Sequence, residues 1–321
     1  MNTEKNNGIV DCTYSVHAVI FGADETLLSI QLNDGFFFKR VSLIPSAGHL
    51  DSFFNTTDMN LRRDYETARI DETSLDVICA VKEKVYKQAI TSLDERFEKD
   101  ANEDLISLDN QIRAIRLLKE GPVRFKKIAF NQDCQYQAEE FTIPCNHNSI
   151  NTIGESMTTK PISTFHCNNT EVASINQELL RLSFPLNDSI LNSCHKYYDL
   201  SYHTEPCISV TLLTTALEIL FLERNAKSKG KGLAKRCSVF LFENDARRLQ
   251  NAYNDLISFY DKRSDFVHEG TEASITDADI ISLRAYVRDS LMKALSLSEN
   301  KNQRIARLKQ VIAHNSWLSG K

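Results

Sequence analysis

Glycine and proline are both scarce in this sequence. Its 321 residues hold 10 glycines and 6 prolines, roughly half the usual share of each. That disfavours a turn-rich all-β protein and favours long helices. The last proline is Pro206, so no ring interrupts a helix beyond it. No run of about 18 apolar residues occurs, and no membrane-spanning helix is expected. The first residues, Met1 to Asp11, are polar and do not make a signal peptide. Excess positive charge is missing too. The formal net charge is −5, which excludes a globally basic nucleic-acid binder but leaves room for a local basic patch. There is no internal repeat, no low-complexity tract and no Gly-x4-Gly-Lys-Ser/Thr phosphate loop. The expectation is a soluble, cytoplasmic protein.

The composition is otherwise globular, 42% hydrophobic and 25% charged, and the length suffices for two domains. Eight cysteines are scattered from Cys12 to Cys237. In a reducing compartment they read as free thiols.

Residues 1–150 read as an α+β domain. Tyr14, Val16, Ala18 and Ile20 alternate with smaller or polar residues, the period of a strand. Gly22-Ala23-Asp24 and Asn33-Asp34-Gly35 are turns around an apolar run, Thr26 to Leu32. Phe36 to Leu43 reads as a third strand, so a β-meander is expected. Its three consecutive phenylalanines suggest burial on both faces, with the wall of a ligand pocket as the alternative. Further strands are expected between Ser74 and Val81 and between Val123 and Phe130. Ile112, Ile115 and Leu118 recur at helical spacing, giving a helix over Ile106 to Glu120 that Gly121-Pro122 ends. Residues 151–169 are the candidate linker, within an asparagine-rich stretch that begins near Cys145.

Residues 170–321 read as helix throughout, enough for a compact bundle. Segments are expected at Val172–Leu182, Asp188–Leu200, Glu205–Arg224, Gly232–Phe242, Asn244–His268, Ser274–Leu295 and Gln303–Leu318. The last of them is basic and amphipathic.

The sharpest local feature is Tyr260-Asp261-Lys262-Arg263-Ser264-Asp265-Phe266-Val267-His268-Glu269-Gly270. Arg263 falls in phase with the apolar stripe of its helix, where a charge is costly unless paired or lining a cleft. His268 sits just before a glycine stop. The two are five positions apart, so on a straight helix they point about 140° apart. A long arginine stem or a loosened last turn is needed to bring them together.

Three motifs in order carry a resemblance: Ala216-Leu217-Glu218, then Leu233-Ala234-Lys235-Arg236-Cys237-Ser238, then Arg263-x4-His268. Over roughly residues 185–298 the chain resembles the Apea-like branch of the HEPN superfamily. It departs from that pattern in having Glu269 directly after the histidine, where the family commonly has glycine. The resemblance implies a HEPN-type helical bundle with metal-independent endoribonuclease activity, in bacterial antiphage defence or toxin-like growth arrest. It implies His268 as acid or base and Arg263 as the phosphate cation, with support from Glu218 and Arg236. It also implies a homodimer whose facing helices build one composite cleft. The N-terminal domain would regulate the nuclease in response to a ligand or protein. The alternative is a non-catalytic dimeric module that binds RNA or protein.

Lys229, Lys231 and Lys235 lie in or beside a basic, glycine-containing stretch. They suit contact with an RNA backbone, or equally a solvated loop. Cys134, Cys145, His147, His166 and Cys167 have irregular spacing for zinc, and no metal or cofactor is expected. Lys301 to Lys309 reads as a solvated cationic face. His17 reads as structural.

Overall fold

A computed structural model describes residues 9–42, 76–89, 92–137, 142–152, 162–270 and 275–314. The chain divides into two compact units. The first takes Met1–Ser156 and Ser163–Leu182, the second Met157–Ile162 and Ser183–Lys321.

The first unit is built on a five-stranded antiparallel sheet. Its strands are β1 (Ile9–Phe21), β2 (Phe37–Ser42), β3 (Asp76–Ala89), β4 (Arg124–Gln137) and β5 (Thr142–Thr152), in the order β2-β3-β1-β4-β5. The expected alternation in β1 is present: Val10, Cys12, Tyr14, Val16 and Ala18 are all buried. The expected meander is not. Glu25–Ser29 forms a 3-10 turn rather than a strand, and β1 pairs with β3 and β4 in the middle of the sheet. Phe36 and Phe38 are buried but Phe37 is exposed, so this aromatic run covers one face only.

Helix α1 runs from Leu93 to Leu118, thirteen residues earlier at its start than the apolar repeat suggests. Phe97 meets Tyr14 edge to face, while Lys82 pairs with Asp104 and Lys84 with Asp100. These ion pairs tie β3 to a helix turn that carries too much charge to show a clean hydrophobic period.

Helix α2 (Asn169–Leu179) opens on a capping box between Asn168 and Glu171, which satisfies two orphan helix-end amides reciprocally. The helical region was expected to begin here, yet α2 groups with the sheet. Asn176 accepts from the backbone of Gln31 and donates to that of Ser29, Asn33 donates to Leu179, and Lys119 pairs with Glu171. The strand β5 extends to Thr152, into the stretch expected as linker. Asparagine disfavours strands, but pairing along all of β5 with β4 overrides that preference.

One further expectation is corrected. The sulfurs of Cys12 and Cys134, directly opposed on β1 and β4, are bonded to each other, so not every cysteine is a free thiol. Among the described residues, Cys79, Cys167, Cys194, Cys207 and Cys237 form no disulfide.

The second unit is helical: α3 (Ser189–Leu200), α4 (Pro206–Phe221), α5 (Lys229–Phe242), α6 (Ala246–Glu269), α7 (Asp277–Ser296) and α8 (Lys301–His314). Asp188 caps α3, Asp245 rather than Asn244 caps α6, and Thr276 caps α7. Helix α4 is the hub, packing on α3, α5, α6 and α7. From Ser209 to Leu222 none of its residues is exposed. Its threonines return their hydroxyls to the helix's own carbonyls, Thr214 to Val210 and Thr215 to Thr211. Helix α8 does not present a simple cationic face, because Arg304 is turned inward and is 1% exposed. Arg307 pairs with Glu299, and Lys309 with Glu223. No described helix is long and apolar enough to cross a membrane.

Candidate functional site

Helix α4 carries a single charged side chain, Glu218, in an otherwise apolar and hydroxylic sequence. A carboxylate on so buried a helix must be compensated. Its partner is Arg263 of α6, whose Nη1 lies 3.7 Å from Glu218 Oε1. Both side chains keep about a fifth of their exposure. Arg263 reaches this position because it follows the buried residues Leu249, Ala252, Leu256 and Phe259 along one face of α6, the i, i+3, i+4 spacing of a core stripe.

Tyr260, one turn before Arg263, closes the cluster. The guanidinium carbon lies 5.5 Å from the centre of the Tyr260 ring, within cation–π range. Burial raises the pKa of the phenol, and the charge of Glu218 raises it further, so it stays protonated. Among the described residues, Glu218 Oε1 and Arg263 Nε are nonetheless buried without a hydrogen-bond partner. Such orphans are rare and call for an explanation.

The backbone of α5 rests on the other side of Tyr260. A Cβ on Gly230 would lie 2.7 Å from the ring, so only glycine permits this approach. Helix α5 begins at Lys229, three residues earlier than expected, which puts Lys229 and Lys231 in its first turn rather than in a loop. Both are exposed. Lys235 is one turn further on and half-buried.

His268 is placed differently. Helix α6 is continuous to Glu269 and stops at Gly270, which adopts a left-handed conformation and donates its N–H to Phe266. The last turn is not loosened, so His268 points well away from Arg263 around the helix. It is exposed, as are Glu269 and Val267. Val267 lies four residues beyond Arg263, in phase with the apolar stripe, yet it is exposed. Lys262 holds this end of α6 to the start of α7 through Asp279, at 2.8 Å. Burial pushes the Asp279 carboxyl up, but hydrogen bonds from Lys262 and Thr276 hold it below its usual range.

Arg236 does not join the cluster. Its Nη1 donates to the Phe221 carbonyl at 2.8 Å, and its Nη2 lies 3.6 Å from Glu223. It thereby satisfies a carbonyl orphaned at the C-terminus of α4, a structural role. Tyr260 is the residue that the motifs alone did not single out. The signal was available in its spacing, one turn before Arg263 on the same stripe.

The sequence-suggested zinc set is not assembled among the described residues. Cys134 is bonded to Cys12, His166 is exposed and bonded to Asp24, and no group of three or more possible ligands converges. The side chains of Cys145 and His147 lie outside the description.

No protein-family model matches the chain, and no curated protein or solved structure is significantly similar to it.

Proposed function

We propose that the helical unit is a HEPN-type, metal-independent endoribonuclease acting in the cytoplasm, in bacterial antiphage defence or toxin-like growth arrest. The observation that carries this reading is the Arg263–Glu218 pair. A cation of α6 is held against the carboxylate of the hub helix α4, beside two orphaned polar atoms and on the same helix as an exposed histidine. Arg263 suits a phosphate, because its planar charge is permanent. His268 suits proton transfer, because an imidazole is the side chain most often used as a general acid or base. The ribose 2′-hydroxyl attacks the adjacent phosphorus, the 5′-oxygen leaves, and a 2′,3′-cyclic phosphate remains. One proton is taken from the 2′-oxygen and one is given to the leaving oxygen.

Arg263 and His268 of one protomer diverge by about 140° on a straight helix. The cleft is therefore composite in this proposal: a second copy brings its own His268 to the phosphate held by Arg263. Val267, 46% exposed, offers an apolar contact beside it. Lys229 and Lys231 line the approach for the RNA backbone. The sheet-bearing unit regulates cleavage by sensing a ligand or protein. The same divergence favours the second reading, an RNA- or protein-binding module without turnover.

Cleavage of RNA by the purified chain in EDTA, yielding cyclic phosphate ends, separates the two. His268→Ala should abolish it. EDTA-sensitive cleavage, or full activity in His268→Ala, would overturn the catalytic reading.

A further inference from the structure

Three cysteines stand in one row across the sheet. Cys12 of β1 is directly opposite Cys134 of β4, and Cys134 is directly opposite Cys145 of β5. Positions opposed in this way share a face of an antiparallel sheet. Their Cα atoms are about 4.5 or 5.5 Å apart, depending on the hydrogen-bonding pattern, and both spacings suit a disulfide. Cys134 therefore has a cysteine position within disulfide reach on either side, and its bond goes to Cys12. Cys79, on β3 of the same sheet, has Val19 and Lys39 opposite it instead.

The row also orders the three positions for exchange. A thiolate displaces one sulfur of a disulfide from the other, approaching in line with the bond that breaks. Cys134 stands between the other two positions, so the incoming and departing groups belong to opposite sides of it. The existing bond is closed to solution. Cys12 and Cys134 are each 1% exposed and cluster with Val10 and with Leu93, the first residue of α1. Strand β5, by contrast, is the edge of the sheet.

We propose that Cys12, Cys134 and Cys145 form a thiol–disulfide exchange site, in which Cys134 trades its bond to Cys12 for one to Cys145. The Cys145 thiol gives its proton to solvent, and the thiolate attacks the sulfur of Cys134. The Cys134–Cys12 bond breaks, and Cys12 leaves as a thiolate that takes up a proton. A Cys134–Cys145 bond has then formed. One disulfide replaces another, so no oxidant or reductant is consumed. The covalent link moves from the centre of the sheet to its edge and frees a thiol beside Leu93 at the start of α1. In the cytoplasmic setting proposed above, disulfides are usually transient, which suits an exchanging bond. The exchange needs nothing from the helical unit and occurs whether or not that unit cleaves RNA.

The test keeps the full wild-type chain folded in mildly alkaline buffer, where thiolates form. Free thiols are then trapped with N-ethylmaleimide, and the linked peptides are mapped by mass spectrometry without reduction. Both a Cys12–Cys134 and a Cys134–Cys145 link are expected. A Cys12–Cys145 link is not, because two strand spacings, about 10 Å, separate those positions, beyond disulfide reach. Cys145→Ser should lose the second link and keep the first. Cys12→Ser, treated with oxidised glutathione, should carry the Cys134–Cys145 link alone. The wild-type map decides the matter even if a variant fails to fold. Cys12–Cys134 as its sole link, with Cys145 fully alkylated, would overturn the proposal. So would a Cys12–Cys145 link in similar yield, which would mean random reshuffling of an unfolded chain.

Discussion

Glu218 and Arg263 each make the other tolerable. Removing one leaves the other charge half-buried without its counter-ion, and breaking such a pair costs more than the pair itself contributes. Glu218→Ala should therefore destabilise the chain by about 2 kcal/mol, less than a fully buried pair because both side chains keep some exposure. Urea unfolding would show it as a lowered midpoint at unchanged slope. Arg263→Ala carries the same penalty, so lost activity in that variant does not by itself report on chemistry. His268 is exposed and outside the core, so His268→Ala should leave the unfolding midpoint where it is. A large drop in that midpoint would mean that His268 has a structural role.

His17 makes a second residue-scale case. It stands on β1 between Val81 of β3 and Ala129 of β4. Burial lowers its pKa to about 4, with Lys39 lowering and Glu83 raising it. The unfolded chain then binds a proton between about pH 6.5 and 4 that the folded chain refuses. Stability from this group is complete above pH 6.5 and falls as the pH drops towards 4. The loss is at most about 3 kcal/mol. His17→Gln should flatten that part of the stability–pH curve, and an unchanged curve would contradict the assignment.

Helix α5 shows how one glycine can differ from its neighbour at the scale of an element. Gly232 has only Leu222 within ordinary contact, whereas Gly230 meets the Tyr260 ring. Alanine is favoured over glycine in helices by up to about 1 kcal/mol. Gly232→Ala should gain much of that in melting temperature, while Gly230→Ala should gain nothing or lose stability. Equal gains in both would mean that Tyr260 yields freely.

The elements also differ in how far the sequence disclosed them. Helix α4 was plain, since an uninterrupted apolar run after the last proline has no alternative. The buried phase of α6 put Arg263 where its partner is found. The position of β1 at the sheet centre was hidden, because pairing between distant strands leaves no local trace. Strand β5 was obscured by asparagines, and α2 by side-chain hydrogen bonds to Gln31 and Asn33 that no periodicity encodes. Arg236 matched a motif element, yet it serves the end of α4. A motif fixes residue type and order, not which carbonyl a guanidinium finds.

At the scale of the whole molecule, the helix over Asn169–Leu179 groups with the sheet, so the helical unit resumes at Ser183 rather than at residue 170. The composite cleft makes a prediction at this scale. Mixing Arg263→Lys and His268→Ala proteins, each inactive alone, should restore measurable cleavage, because a mixed dimer reunites one intact arginine with one intact histidine. No restoration would place both groups in one protomer's site.

The most direct test of the account is an RNA cleavage assay on the wild-type chain in excess EDTA, with product ends identified. The account predicts 2′,3′-cyclic phosphate ends from the wild type and none from an equally stable His268→Ala variant. Undiminished cleavage by His268→Ala, or none by the wild type, would contradict it.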